Sequence, residues 1–197
     1  MLTYLTESQT IEAGPAAESL VREVVRLRTE VEQLRTLVKE LDGLAHQDPL
    51  VDLPNRRSFM SSLQNLISRV ERYGHPAAML FVDVDGLKKI NDMYGHTAGD
   101  AALVRISQLL VASVRNSDTV GRLAGDEFGI LFEQADELSA WQMGLRVVEA
   151  VTHSHFEFEG KRLRLSVAVG VGVITPGDDP QTVIARADQQ MYRIKAA

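Results

Sequence analysis

Residues 119–132 read TVGRLAGDEFGILF. Two short runs rich in strand formers, 119–123 and 128–132, flank the tight turn Ala124-Gly125-Asp126-Glu127, the pattern of a β-hairpin. Upstream, residues 77–84 (AAMLFVDV) form a continuous apolar run of strand length ending in acids, as expected of a buried strand. Helices are predicted over 55–73, 99–114, 136–153 and 180–195, with Trp141 read as a packing residue. Residues 156–158 and 164–174 are predicted strands around the turn Glu159-Gly160. Helices that alternate with strands, several of them hairpin-joined, predict an α/β fold: one sheet with helices on its faces.

The amino-terminal part obeys a different period. Residues 1–18 are polar, with Gly14 and Pro15 as breakers, and are expected to form a flexible tail. From there Leu20, Val24, Leu27, Val31, Leu34, Val38 and Leu41 alternate spacings of four and three, a heptad seam. Valine at every a position and leucine at every d position favour a parallel two-stranded coil. Glu23 and Glu30 fall at g, Arg28 and Arg35 at e, so each glutamate is five residues from a partner arginine. A single amphipathic helix lying on a globular domain needs a wider apolar stripe than this one. The seam fades near Gly43 and Asp48-Pro49. The expected organisation is therefore a tail over 1–18, a dimeric coiled coil over 19–45 and a globular domain over 46–197.

Composition narrows the function. The 197 residues are 45% hydrophobic and 24% charged, ordinary for a globular chain. There is no cysteine, which excludes disulfides and thiolate metal sites. A net charge of -6, from 27 acidic and 21 basic residues, argues against nucleic-acid binding through a basic surface. A small phosphorylated ligand is still compatible, because a divalent ion and a few local cations offset its charge. No apolar run approaches the roughly 18 residues that span a bilayer. Residues 1–15 lack the basic and apolar regions of a signal peptide, so the expected location is cytoplasmic.

The acids carry the chemistry. Asp83 and Asp85 end one strand, and Asp126 and Glu127 occupy the hairpin tip. If those strands are neighbours, several carboxylates converge at one sheet end, where a hard divalent cation would relieve them. Read singly, the same acids are solvated turn residues. The run DVDGLKKIND over 83–92 passes from strand through a turn into a helix start, where backbone N–H groups and Lys88 suit phosphate oxygens. His96 fits a structural hydrogen-bonding role better than a ligand role.

With these residues in view, the chain resembles the GGDEF family of diguanylate cyclases. The opening DPLVDLPNRR over 48–57, the block DVDGLKKINDMYGHTAGD over 83–100 and the hairpin AGDEF over 124–128 look like the family's motifs in order. So do residues 166–172 and the group Ala187-Asp188, Met191-Tyr192 and Lys195. The resemblance covers 46–197 and implies an α+β domain with a central, mainly antiparallel sheet flanked by helices, of the nucleotidyl cyclase and polymerase-palm kind. It implies that Asp83, the Val84 carbonyl and Asp126 hold Mg²⁺ (or Mn²⁺), with Glu127 as a further metal contact or the base for the 3′-hydroxyl. Asn91 and Asp100 would read guanine. Gly86, Leu87, Lys88, Gly125 and Lys195 would bind the rest of GTP.

The activity implied is condensation of two GTP into cyclic di-GMP and two pyrophosphates across a homodimer. Arg115 and Asp118 match the family's RxxD motif, which implies an inhibitory cyclic di-GMP site; an exposed ion pair at a helix end is the plainer alternative. Two departures stand out: Ala124 replaces the signature's first glycine, and the chain stops two residues after Lys195, short of the basic and polar residues usual there. The competing readings are a non-catalytic receptor for cyclic di-GMP or GTP, a scaffold working through its coiled coil, and a cyclase making another product.

Overall fold

Period and burial assemble a computed structural model that describes residues 15–195. The elements run α1 (Pro15–His46), α2 (Arg56–Tyr73), β1 (Ala77–Val84), α3 (Leu87–Tyr94), α4 (His96–Ser113), β2 (Thr119–Ala124) and β3 (Glu127–Glu133). They continue with α5 (Glu137–Thr152), β4 (Glu157–Phe158), β5 (Lys161–Arg162), β6 (Val167–Ile174) and α6 (Pro180–Lys195). The chain divides into two units between Ala45 and His46. No described helix is long and apolar enough to cross a membrane.

The first unit is helical. Its helix opens at Pro15 rather than near residue 19, because a proline in the first turn gives up an N–H that would have no partner there. The rest of the expected tail, 1–14, lies outside the described residues. Seam side chains Leu20, Val24, Leu27, Val31, Leu34 and Val38 are all exposed; the side chain of Leu41 lies outside the described ones. Within the single helix, Arg26 pairs with Glu23 and Arg35 with Glu32 at i,i+3 spacing. These intrahelical pairs engage two of the residues expected to reach a partner.

In the second unit, β1 is buried on both sides. Ala77, Met79 and Phe81 meet α2 and α6, whereas Ala78, Leu80, Val82 and Val84 meet α4 and α5. The four long strands form one antiparallel sheet in the order β2-β3-β1-β6. One rung on the α2/α6 face reads Gly121, Gly129, Phe81, Gly170 across all four strands. Those glycines let helices approach closely. A Cβ at Gly129 would stand 2.4 Å from Cζ of Phe59 on α2, and one at Gly170 would stand 2.1 Å from the Ala187 carbonyl on α6. The next rung on this face, at Asp83, thus receives the ends of both helices.

Local signals fix the boundaries. Asn55 caps α2 by accepting from the Ser58 N–H at 3.0 Å, and Asp136 caps α5 through Ser139 at 2.8 Å. Helix α4 starts at His96 rather than 99, because Gly95 at φ 84 separates it from α3. The predicted pairing of 156–158 with 164–174 is corrected. Glu157–Phe158 pairs instead with Lys161–Arg162 through positive φ at Glu159 and Gly160, a two-residue turn, while β6 pairs with β1. Leu163 and Leu165 alternate into the core; the Leu163 N–H donates to the Phe156 carbonyl at 3.0 Å, and the chain then leaves the hairpin before β6 begins.

Candidate active site

The acidic sheet end is built by register. Asp83 stands directly opposite Glu127. The Val84 N–H donates to the Asp126 carbonyl at 3.0 Å, so 84 and 126 are the hydrogen-bonded pair. Asp83 and Glu127 are then the non-hydrogen-bonded pair, with Cα atoms typically about 4.5 Å apart and the nearest side chains. Like charges so opposed destabilise a sheet. Burial pushes the Glu127 carboxyl above the usual range, the charges of Asp126, Asp83 and Asp188 add to it, and Arg56 pulls the other way.

Lys195, at the end of α6, answers this charge. Its ammonium contacts Asp83 Oδ1 and lies 3.2 Å from Asp85 Oδ1. Burial works to lower the Lys195 pKa, but the hydrogen bonds and charges of Asp83 and Asp85 outweigh it and hold it above the ordinary lysine value. Lys195 was expected at a triphosphate; here it stands on the acids, because an ammonium beside several carboxylates pairs with them. Among the described residues no group of three or more acids and histidines forms a ready metal cage. The donor set nevertheless fits magnesium, which keeps several waters and takes one or two carboxylates plus phosphate oxygens. The Lys195 ammonium shows that this end accepts a cation.

The hairpin turns over Ala124–Glu127, as expected from its sequence. Gly125 and Asp126 are the central residues of the turn, and the β2–β3 register shifts between Arg122 and Ala124. Positive φ among the described non-glycine residues is confined to Asp52, Gln134 and Glu159, so Ala124 carries no backbone strain. Beside Gly125 there is open space. Arg122, not singled out from sequence, holds the turn. Its Nε and Nη2 donate to the Gly125 carbonyl at 3.1 and 2.7 Å, and its Nη1 donates to Asp48 Oδ1 at 3.0 Å. The same Asp48 oxygen accepts from the N–H groups of Leu50 and Val51. A lone arginine three residues before a turn glycine was the available signal.

Beyond β1, Gly86 at φ 70 turns the chain into α3. The Ile90 N–H returns to the Gly86 carbonyl, so the N–H groups of Leu87, Lys88 and Lys89 precede the first intrahelical bond. Lys88 is exposed. One turn on, the Asn91 side chain lies against Gly99 of α4, where a Cβ would stand 1.9 Å from Asn91 Oδ1. That oxygen is buried without a hydrogen-bond partner, a cost that calls for an explanation. The neighbouring Asp100 is exposed.

Arg115 and Asp118 form a separate cluster. The Arg115 N–H donates to Asp118 Oδ2 and the Asp118 N–H to the Arg115 carbonyl, both at 3.0 Å. The two line a cavity of about 180 Å³ together with Gln142, Met143 and Arg146. Arg146 was not foreseen, being 28 residues away on α5. Larger cavities, of about 460 and 450 Å³, open against α6 and α4, and Asp83, Asp126 and Glu127 line neither.

Comparison with known proteins follows the same outline. Residues 45–197 match the family described as diguanylate cyclase, GGDEF domain. The chain is 37% identical over 127 residues to the probable diguanylate cyclase DgcE of Escherichia coli, covering 64% of this chain and 12% of that protein. It is 34% identical over 157 residues to the bifunctional diguanylate cyclase/cyclic di-GMP phosphodiesterase MucR of Pseudomonas aeruginosa, covering 80% and 23%. To the response regulator PleD of Caulobacter vibrioides it is 33% identical over 181 residues, covering 87% and 40%. The chain thus spans 12 to 40% of these curated relatives' lengths. A sensory box/GGDEF family protein of Caulobacter crescentus superposes with a TM-score of 0.71 at 32% identity, over 77% of this chain and 98% of that one. The coiled coil and GGDEF domain of DgcB from the same organism, in complex with c-di-GMP, superposes with a TM-score of 0.83 over 90% and 95% of the two chains. At 23% identity that likeness concerns the fold alone.

Proposed function

The chain belongs to the diguanylate cyclase GGDEF domain family, and from that premise we propose that it condenses two GTP into cyclic di-GMP and two pyrophosphates. Each protomer of a homodimer supplies half a site with one nucleotide. The 3′-hydroxyl oxygen of each GTP bonds to the α-phosphorus of the other, its proton leaves, and the bond from that phosphorus to pyrophosphate breaks. The observation that carries this reading is Asp83 directly opposite Glu127, with Asp126 in the adjoining turn and Lys195 as counter-charge.

The roles follow from chemistry. Asp83, the Val84 carbonyl and Asp126 would hold Mg²⁺ or Mn²⁺, with Glu127 completing the acidic centre. Such an ion supplies charge neutralisation at the phosphates. The backbone of Gly86 and Leu87, with Lys88 and Lys195, binds the triphosphate, and Gly125 leaves room for the nucleotide to approach. Asp100 accepts from guanine N1–H and N2–H, groups that adenine does not offer in that pattern, and Asn91 brings an amide whose buried oxygen lacks a partner. Sites built on such contacts discriminate strongly. Two half-sites held together gain effective concentration and share a two-fold axis. Product inhibition is assigned to the cavity shared by Arg115, Asp118 and Arg146, where an arginine fork matches guanine O6 and N7. A site consuming GTP belongs in the cytoplasm, where that nucleotide is.

Purified protein incubated with GTP and Mg²⁺, with products separated by chromatography, tests the reading. Cyclic di-GMP and pyrophosphate are expected, reduced roughly a hundred-fold or more in Glu127→Gln. Added cyclic di-GMP should slow the wild type but not Arg115→Ala. GTP bound without any cyclic di-GMP formed would replace the enzyme by a nucleotide receptor.

A further inference from the structure

Lys195 ties the last turn of α6 to the end of β1, with its ammonium against Asp83 Oδ1 and 3.2 Å from Asp85 Oδ1. The side chains are partly shielded, 35% exposed for Lys195 and 23% for Asp83. Resting on the cyclase reading, we propose that Lys195 is an exchangeable internal counter-ion: its ammonium and the divalent ion compete for the carboxylate of Asp83, and the lysine passes to the triphosphate when nucleotide and ion bind together.

The argument is one of charge and space. Asp83, Asp85, Asp126, Glu127 and Asp188 gather around one sheet end, and Lys195 is the cation in direct contact with two of them. A dication on Asp83 would stand within a few ångströms of an ammonium hydrogen-bonded to the same group, and the two repel. The lysine must therefore give way as the ion enters. That movement is easy, since a flexible four-carbon stem shifts its ammonium without disturbing the helix. A triphosphate offers the released ammonium a new anionic partner. Nucleotide then aids ion binding by drawing Lys195 off Asp83, and the ion aids nucleotide binding by freeing Lys195. The two couplings are equal by linkage.

A lysine serving only as a phosphate ligand predicts something different: its removal would weaken nucleotide binding and leave nucleotide-free ion affinity untouched. Mn²⁺ affinity is therefore measured by calorimetry and by electron paramagnetic resonance of the free ion. Both are run with and without a non-hydrolysable GTP analogue, in wild type, Lys195→Met and Lys195→Gln. Without nucleotide, Mn²⁺ is expected to bind about five-fold tighter to both variants, the scale of a partly exposed ion pair. The gain in Mn²⁺ affinity on adding the analogue should shrink by a similar factor. Lys195→Arg, which keeps the charge, should bind Mn²⁺ as the wild type does. Equal or weaker nucleotide-free Mn²⁺ affinity in both neutral variants would overturn the exchange. These titrations involve no turnover, so a chain that shows the exchange yet forms no cyclic di-GMP refutes the cyclase reading alone. One that forms cyclic di-GMP without the shift refutes the exchange alone.

Discussion

Gly99 and Asn91 show how finely a single methyl group is excluded. The Asn91 amide reaches across the α3–α4 joint and rests where a side chain at position 99 would begin, 1.9 Å from an added Cβ. The clash falls on the end of a movable side chain rather than on backbone, so Gly99→Ala should displace Asn91 and leave the fold standing. The expected outcome is a rise of about ten-fold in KM for GTP, the scale of one lost polar contact, with Tm changed by no more than a few degrees. Steady-state kinetics and thermal melts on the same preparation check this; an unchanged KM would remove Asn91 from the nucleotide site. Position 99 was legible only as part of a motif. Its contact spans eight residues and depends on Gly95 folding α3 back on α4, which no local pattern announces. The acids differ in this respect. Asp83 at the end of an apolar run and Glu127 beside a turn were visible, but their opposition is a matter of register, fixed by seven paired rungs between β1 and β3. Arg122 escaped notice because a lone arginine in a strand pattern reads as solvated, whereas its three hydrogen bonds run to the turn and to a loop 74 residues away.

Among the elements, α6 and β6 are joined by a polar clip as well as by packing. Asp178 accepts from Arg186 at 2.8 and 2.9 Å and from the Thr175 N–H and hydroxyl. Arg186 also donates to the Val173 carbonyl, and Gln190 accepts from the Val171 N–H. These side chains occupy backbone groups on the edge of the sheet, which protects it from pairing with other chains. The Arg186 guanidinium holds the Asp178 carboxyl at about 2, below its ordinary 3.8. A carboxyl depressed by folding stabilises above its unfolded value, and that contribution disappears as pH falls through the folded one. Asp178→Asn should therefore cost on the order of 1–2 kcal/mol at pH 7 for this nearly buried side chain. The difference from wild type should narrow between about pH 4 and pH 2. Chemical denaturation across that range decides it; a difference independent of pH would mean the charge contributes nothing. Helix α6 and strand β1 coincide with their sequence reading because period and capping agree. The β4–β5 hairpin does not, since the alternation of Leu163 and Leu165 continues past the last cross-strand bond, from Leu163 to Phe156, and imitates a longer strand.

At the scale of the whole molecule, the proposed reaction demands two nucleotides with their 3′-hydroxyls facing each other's α-phosphates, and on that proposal one chain supplies one set of guanine-reading residues. On that proposal assembly would be part of the chemistry, and the exposed seam of α1 offers a means. Its seam keeps Val31 44% and Leu34 54% exposed, apolar surface that a partner helix would cover. Burying such side chains is worth roughly 1.5–3 kcal/mol each, which repeated over the seam would sustain the proposed dimer at low concentration. Aspartate at both Val31 and Leu34 would place unpaired charges inside the coil, where desolvation opposes association. The wild type should sediment as a dimer, and the variant as a monomer at the same concentrations. Its turnover per chain at nanomolar enzyme should fall at least ten-fold, the loss of effective concentration that tethering supplies. Raising the enzyme to tens of micromolar (on the order of ten-thousand-fold) should recover much of that loss, because the residues of the half-sites are unaltered. A defect that ignores concentration would place the damage in folding rather than assembly, and wild-type turnover at nanomolar enzyme would show that α1 has no part in bringing the half-sites together.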